Sequence, residues 1–131
     1  MISFKRACDM TIALSSFLAI GMVFFPQWTI SVLGVDIQST GEFVTRRMGL
    51  LFLGLFVLML CSRSLEDSAG RVAIARSVVA SMSTLAVLGV IEFARGNAGL
   101  SIIYVAVLIE VVLTVAFFPY AKLFANKDVQ G

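Results

Sequence analysis

Glu110 is the strongest candidate for a chemical role in this sequence. It is an acid near the middle of an apolar stretch, GLSIIYVAVLIEVVLTVAFFPY at residues 99–120. If residues 98–119 span a membrane, Glu110 lies about 18 Å from one end of the helix and about 13 Å from the other. Inserting an acid at that depth costs about 2.5–3.5 kcal/mol. The carboxyl must therefore be neutral, paired or hydrated from inside the protein.

Other polar side chains lie at a depth or spacing that would let them contact Glu110. They are Arg76, Ser77, Ser81 and Thr84 on the preceding apolar segment, and Thr114 on the same helical face. Polar groups inside a membrane often link helices, at about 1 kcal/mol or less per hydrogen bond. They also mark proton paths and binding sites. Both interpretations of this intramembrane polar site stay open.

Charged residues nearer the membrane surfaces suggest an ion pair on the outer side. Arg46 and Arg47 must enter the first turns of the second apolar segment, and Glu92 lies at a similar depth on the third. Pairing between them would offset the cost of burying each charge. In the local alternative, Glu92 pairs with Arg95 at i,i+3, and the arginines extend to the headgroups.

A second ion pair is suggested on the inner side, between Asp9 of the first segment and Arg76 of the third. Each lies a turn or two inside the membrane boundary. The local alternative pairs Asp9 with Lys5 at i,i+4, while Arg76 extends towards the surface. The sequence does not decide between the two.

Composition excludes several function classes. There is no histidine, so the commonest general base and neutral metal ligand is missing. Cys8 and Cys61 are far apart, which argues against a structural zinc site. The net charge of +2 gives no reason to propose nucleic acid as a partner. We therefore assign no catalytic residues, metal ligands or cofactor.

The elements that must position these residues are membrane helices. Of 131 residues, 60% are hydrophobic and 14% charged, and a soluble domain of this size could not bury so much apolar surface. We predict an all-α, integral-membrane four-helix bundle in up-down-up-down order, as a single domain, with a short interfacial helix after the first span. The predicted spans are about 7–25, 43–61, 72–94 and 98–119, the interfacial helix is about 26–35, and the second and third spans are preceded by loops at 36–42 and 62–70.

Small residues predict where the helices pack closely, and basic residues predict how the protein is oriented in the membrane. Close helix approach is predicted at Ser15 and Ala19, at Gly49 and Gly54, and at Ala73, Ser77 and Ser81. The basic residues Lys5, Arg6, Arg63, Arg71, Arg76, Lys122 and Lys127 lie on one side, against Arg46, Arg47 and Arg95 on the other. Both termini are therefore predicted to be cytoplasmic, most simply at a bacterial inner membrane.

Three features together resemble a known type of membrane protein. FFPQWTISVLGV follows the first span, RRMGLLFLGL opens the second, and a tight glycine turn joins the last two. In this order the chain resembles small bacterial four-helix membrane proteins of the DoxX-like type and related tetraspan families. The resemblance implies architecture rather than chemistry, and no catalytic residues are carried over from it.

Three functions are compatible with these features. The chain can be a non-catalytic accessory subunit, or a binder of a lipid or quinone-like lipophile in a pocket near Glu110. It can be a proton-linked small transporter or oligomeric channel in which Glu110 titrates. It can be a membrane-embedded enzyme on a lipophilic substrate, with Glu110 or Glu92 as acid or base. The lipid bilayer is the expected partner, with a larger membrane complex or a homo-oligomer as further candidates.

Overall fold

The computed structural model describes residues 2–32, 39–66, 68–96 and 102–122, and these residues form helices without any strand. The helices are α1 (Phe4–Phe24), α2 (Pro26–Val32), α3 (Ser39–Ser62), α4 (Ala69–Ala94), a π-helix (Ile102–Val107) and α5 (Leu108–Lys122). The end of the predicted interfacial helix, the start of the predicted fourth span and Lys127 lie outside the described residues.

Helix boundaries follow local sequence signals. The hydroxyls of Ser3 and Ser68 each accept a hydrogen bond from the backbone N–H three residues later, which caps the starts of α1 and α4. Pro26 begins α2 immediately after α1 ends, as expected for a residue without an N–H. The predicted loop at 36–42 is wrong from residue 39 onwards, because α3 begins at Ser39. Glu42 lies in its first turn, where the helix dipole stabilises a carboxylate.

The long helices associate in two antiparallel pairs. α1 packs along α3, and α4 packs along α5 and the π-helix. At one end of the first pair Arg63 meets Asp9, while further along a Cβ at Gly49 would lie 3.2 Å from the Ala19 carbonyl oxygen. The second pair is also antiparallel. Arg76, near the start of α4, contacts the end of α5, and Gly89, near the end of α4, contacts the π-helix.

An aromatic junction holds the two pairs together where α1 contacts α5. Phe4 is 3% exposed and packs edge-to-face on Phe117, with ring centroids 5.8 Å apart, and on Tyr120, at 5.3 Å. The Arg71 guanidinium lies 4.5 Å from the Phe4 ring centroid and 4.8 Å from that of Tyr120. The Tyr120 hydroxyl donates a hydrogen bond to the Ile2 carbonyl. These contacts tie the start of α1 to α4 and α5.

Three helices are long and apolar enough to cross a membrane, namely Phe4–Phe24, Gly41–Ser62 and Ala69–Ala94, and Val105–Ala121 is a shorter apolar helix. Most of their apolar surface faces outwards. Only 17% of the apolar part of Gly41–Ser62 and 11% of that of Ala69–Ala94 is buried. In water such surfaces would promote aggregation. The helical composition and these exposed faces are therefore compatible with a membrane protein.

Candidate functional site

Glu110 lies in the first turn of α5, directly after the π-helix. Its face of α5 also carries Leu113 and Phe117, which are 3% and 0% exposed. Val107, one turn earlier, approaches Gly89 so closely that a Cβ there would lie 2.7 Å from its Cγ2 atom. Leu113 and Phe117 pack towards α1, and Val107 packs towards α4, so the Glu110 face of α5 points into the bundle, as its helical spacing predicts.

The carboxyl of Glu110 is incompletely satisfied. Its Oε2 atom is buried and has no hydrogen-bond partner among the described residues. The Thr114 hydroxyl donates to the Glu110 backbone carbonyl at 2.8 Å, so this contact does not reach the carboxyl. A buried oxygen without a donor is costly, and π-helical turns are frequent at functional sites. Together these features keep Glu110 as a candidate for binding or proton transfer.

The predicted partners on α4 are not gathered around this carboxyl. Arg76 instead donates through Nε to the Ala121 carbonyl at 3.1 Å, and Ser77 donates to the Ala73 carbonyl at 2.9 Å. Ser81 and Thr84 are exposed. The reason is the orientation of α4, whose buried face is formed by larger or purely apolar residues: Val72, Ala75, Val78, Met82 and Ala86.

The outer charges form local contacts within single helices. Arg46 lies 3.9 Å from Glu42 at i,i+4, and the Arg47 guanidinium lies 5.6 Å from the Phe43 ring centroid. Glu92 pairs with Arg95 at 3.1 Å, which is the local alternative left open by the sequence. The predicted pairing of Arg46 or Arg47 with Glu92 is not formed between these described side chains, because α3 packs along α1 and α2 rather than along α4.

On the inner side, Asp9 has a partner that the sequence did not suggest. Arg63, just after α3, approaches Asp9 to 3.6 Å, and both side chains are about 40% exposed (39% and 43%). The predicted Asp9–Arg76 pair is therefore replaced by Asp9–Arg63, while Arg76 binds the end of α5. The physical reason is that α1 packs along α3, which brings the end of α3 beside Asp9.

A cleft between α1 and α5 is lined by residues that the sequence analysis did not identify. It has a volume of about 270 Å³ and is lined by Met10, Leu14, Leu108, Ile109, Val112 and Leu113. Every lining side chain is apolar, so the cleft offers contacts to a hydrocarbon group. Glu110 does not line it, but its chain neighbour Ile109 and the residue one turn later, Leu113, do. No sequence signal marks such residues, because apolar side chains occur throughout the spans.

Comparison with known proteins supplies no family for this architecture. The chain matches no family model, no curated protein and no solved structure. The DoxX-like resemblance therefore stays a prediction. Within the described residues, no group of three or more histidine, cysteine, aspartate or glutamate side chains is arranged to hold a metal ion.

Proposed function

We propose that this chain is a non-catalytic, multi-pass membrane protein that binds a lipid or quinone-like lipophile. Four helices cross the membrane as an up-down-up-down bundle, with α2 at the interface. Both termini are cytoplasmic, at a bacterial inner membrane. The antiparallel helix pairs and the outward-facing apolar surfaces support the bundle, and the distribution of lysine and arginine supports the orientation.

The apolar cleft between α1 and α5 is the observation that carries this proposal. Its volume of about 270 Å³ lies just below the range of about 300–1,000 Å³ typical of ligand pockets. It therefore suits a segment of an acyl or isoprenoid chain rather than a whole ligand. Because Met10 and Leu14 belong to one helix pair and Leu108 and Val112 to the other, a bound chain would contact both pairs.

Glu110 gives the lipophile a place for a polar group. Its Oε2 atom is buried without a hydrogen-bond donor among the described residues, and its neighbours Ile109 and Leu113 line the cleft. A hydroxyl or amine on the bound molecule would supply the missing hydrogen bond, and the surrounding apolar side chains would strengthen it by excluding water. Apolar contacts in the cleft then provide affinity, and Glu110 provides selectivity for ligands that carry a hydrogen-bond donor.

The test is to fill the cleft and measure the lipophiles that remain bound. Val112 lines the cleft and is 42% exposed, whereas Val115 lies on the outer surface of the same helix and is 66% exposed. We expect Val112→Phe to lose most co-purified lipophile in native mass spectrometry, because the larger ring occupies the cleft. Val115→Phe should retain it. Equal retention by both variants would contradict binding in the cleft.

A second candidate function is proton-linked transport, or conduction through an oligomer. It is supported by the buried, unpartnered Glu110 oxygen and by the adjacent π-helix. Glu110→Gln separates the two functions, because the amide keeps the shape of the side chain but cannot release a proton. In liposomes, abolished proton flux would support transport. Unchanged flux, together with loss of the bound lipophile, would support binding alone.

A further inference from the structure

A second, open cleft of about 330 Å³ lies at the corner where α1, α2 and α3 meet. Three aromatic side chains line it, Phe24, Phe25 and Trp28, and they are 70%, 61% and 57% exposed. The polar part of the lining is formed by Gln27, Glu42 and Arg46. Exposed rings beside one acid and one base distinguish this corner from the mainly apolar surface of the spans.

Local contacts hold this corner in place. Pro26 is buried and starts α2 directly after the end of α1. The Thr29 hydroxyl donates to the Phe25 carbonyl at 3.0 Å and packs on Gly21, where a Cβ would lie 2.7 Å from the Thr29 Oγ1 atom. The glycine thus allows α2 to fold back against α1. This arrangement holds the backbone that carries the exposed rings beside the cleft.

The corner carries one negative charge, on Glu42, and one positive charge, on Arg46, and the two make only a weak contact with each other. Gln27 donates through Nε2 to Glu42 Oε1, which links α2 to α3. The other carboxylate oxygen, Oε2, lies 3.9 Å from Arg46 Nη2, which is at the limit for an ion pair. The guanidinium and the carboxylate therefore retain capacity for a ligand that carries both signs of charge. A purely anionic ligand would meet Arg46 but be repelled by Glu42.

We propose that this corner binds the headgroup of a zwitterionic phospholipid. The ammonium group lies between Glu42 and the aromatic faces, where carboxylates and rings both attract cations. The phosphate lies on the Arg46 guanidinium, which binds phosphate oxygens through paired N–H groups. Trp28 and its neighbours lie where α1 ends, which is the level at which membrane proteins concentrate aromatic residues. The site is separate from the α1–α5 cleft and does not depend on its function.

The test compares lipids of opposite headgroup charge on the full-length protein in detergent. Native mass spectrometry with equimolar phosphatidylethanolamine and phosphatidylglycerol of matched acyl chains should give about threefold more of the zwitterionic adduct. Glu42→Gln should abolish or reverse this preference, because the site then carries a net positive charge. Arg46→Gln and Trp28→Leu should each weaken the zwitterionic adduct. Glu66→Gln removes an exposed acid away from the corner and should leave the preference unchanged.

Three results would overturn the proposal. One is equal binding of the two lipids to the unmodified protein. Another is a preference in Glu42→Gln that equals that of Glu66→Gln, with both variants monodisperse. The last is equally strong binding of soluble glycerophosphoethanolamine, which would assign the site to a free phosphate ester rather than to a lipid.

Discussion

Two glycines of α3 provide a sharp test of the helix packing. A Cβ added at Gly49 would lie 2.9 Å from Val23 Cγ2, 3.0 Å from Met22 Cβ and 3.2 Å from the Ala19 carbonyl oxygen. At Gly54, on the same helix, nothing lies within 4 Å of an added Cβ. Replacing each by alanine therefore makes the same chemical change in a tight and in an open environment.

The expected difference follows from these contacts. In both variants alanine improves helix propensity, by about 0.8–1 kcal/mol in water, so this contribution cancels when they are compared. Only at Gly49 must α1 and α3 move apart, because Met22 Cβ and the Ala19 carbonyl cannot rotate away and the valine side chain is stiff. Overpacking of this kind costs about 1–3 kcal/mol. We expect Gly49→Ala to be less stable than Gly54→Ala by that amount.

The assay is reversible unfolding in mixed micelles, with helix content followed by circular dichroism as the fraction of sodium dodecyl sulfate rises. The free energy of unfolding is compared at one detergent composition for the two variants. Equal stability of Gly49→Ala and Gly54→Ala would show that α1 and α3 do not approach at Gly49. Greater stability of Gly49→Ala would refute the packing outright.

Three further predictions concern the junction, an ion pair and a turn. Phe4→Ala should cost about 3–5 kcal/mol of unfolding free energy, whereas Phe17→Ala, at a position 59% exposed, should cost far less; equal losses would contradict the junction. A double-mutant cycle between Asp9 and Arg63 should give at most about 1 kcal/mol, because both side chains are partly exposed; a much larger value would indicate a buried pair. Gly96→Ala should destabilise by about 1 kcal/mol or more, since φ is +76° at this helix end; unchanged stability would refute that conformation.

Local signals in the sequence indicated where the first three long helices end, whereas each of these helices begins a few residues before its predicted start. Pro26 marks the break between α1 and α2, and the i,i+3 spacing of Glu92 and Arg95 matches the observed ion pair. Each of these features depends on a few neighbouring residues and on backbone geometry. Such local contacts can be predicted without knowledge of the helix packing.

Contacts between helices were predicted less well, because nearly uniform hydrophobicity leaves the buried face of each helix undefined. Ser77 and Ser81 have the spacing of a close helix contact, yet both are exposed. The sequence predicts close helix contact at both Gly49 and Gly54, but of the two only Gly49 lies against α1. Asp9 could be assigned its partner only once the packing of α1 along α3 was known. The α1–α5 cleft depends on the same packing.

Photolabelling in liposomes tests most directly whether the cleft holds a lipophile. The full-length protein is irradiated with a phospholipid that carries a diazirine in its acyl chain, and the labelled residues are mapped by mass spectrometry. A bound chain predicts excess labelling at Met10, Leu14 and Val112 over Leu51 and Val115. Exposure alone predicts the reverse, because Leu51 and Val115 are 73% and 66% exposed, against 41% for Met10 and 42% for Val112. Labelling that follows exposure would contradict binding in the cleft.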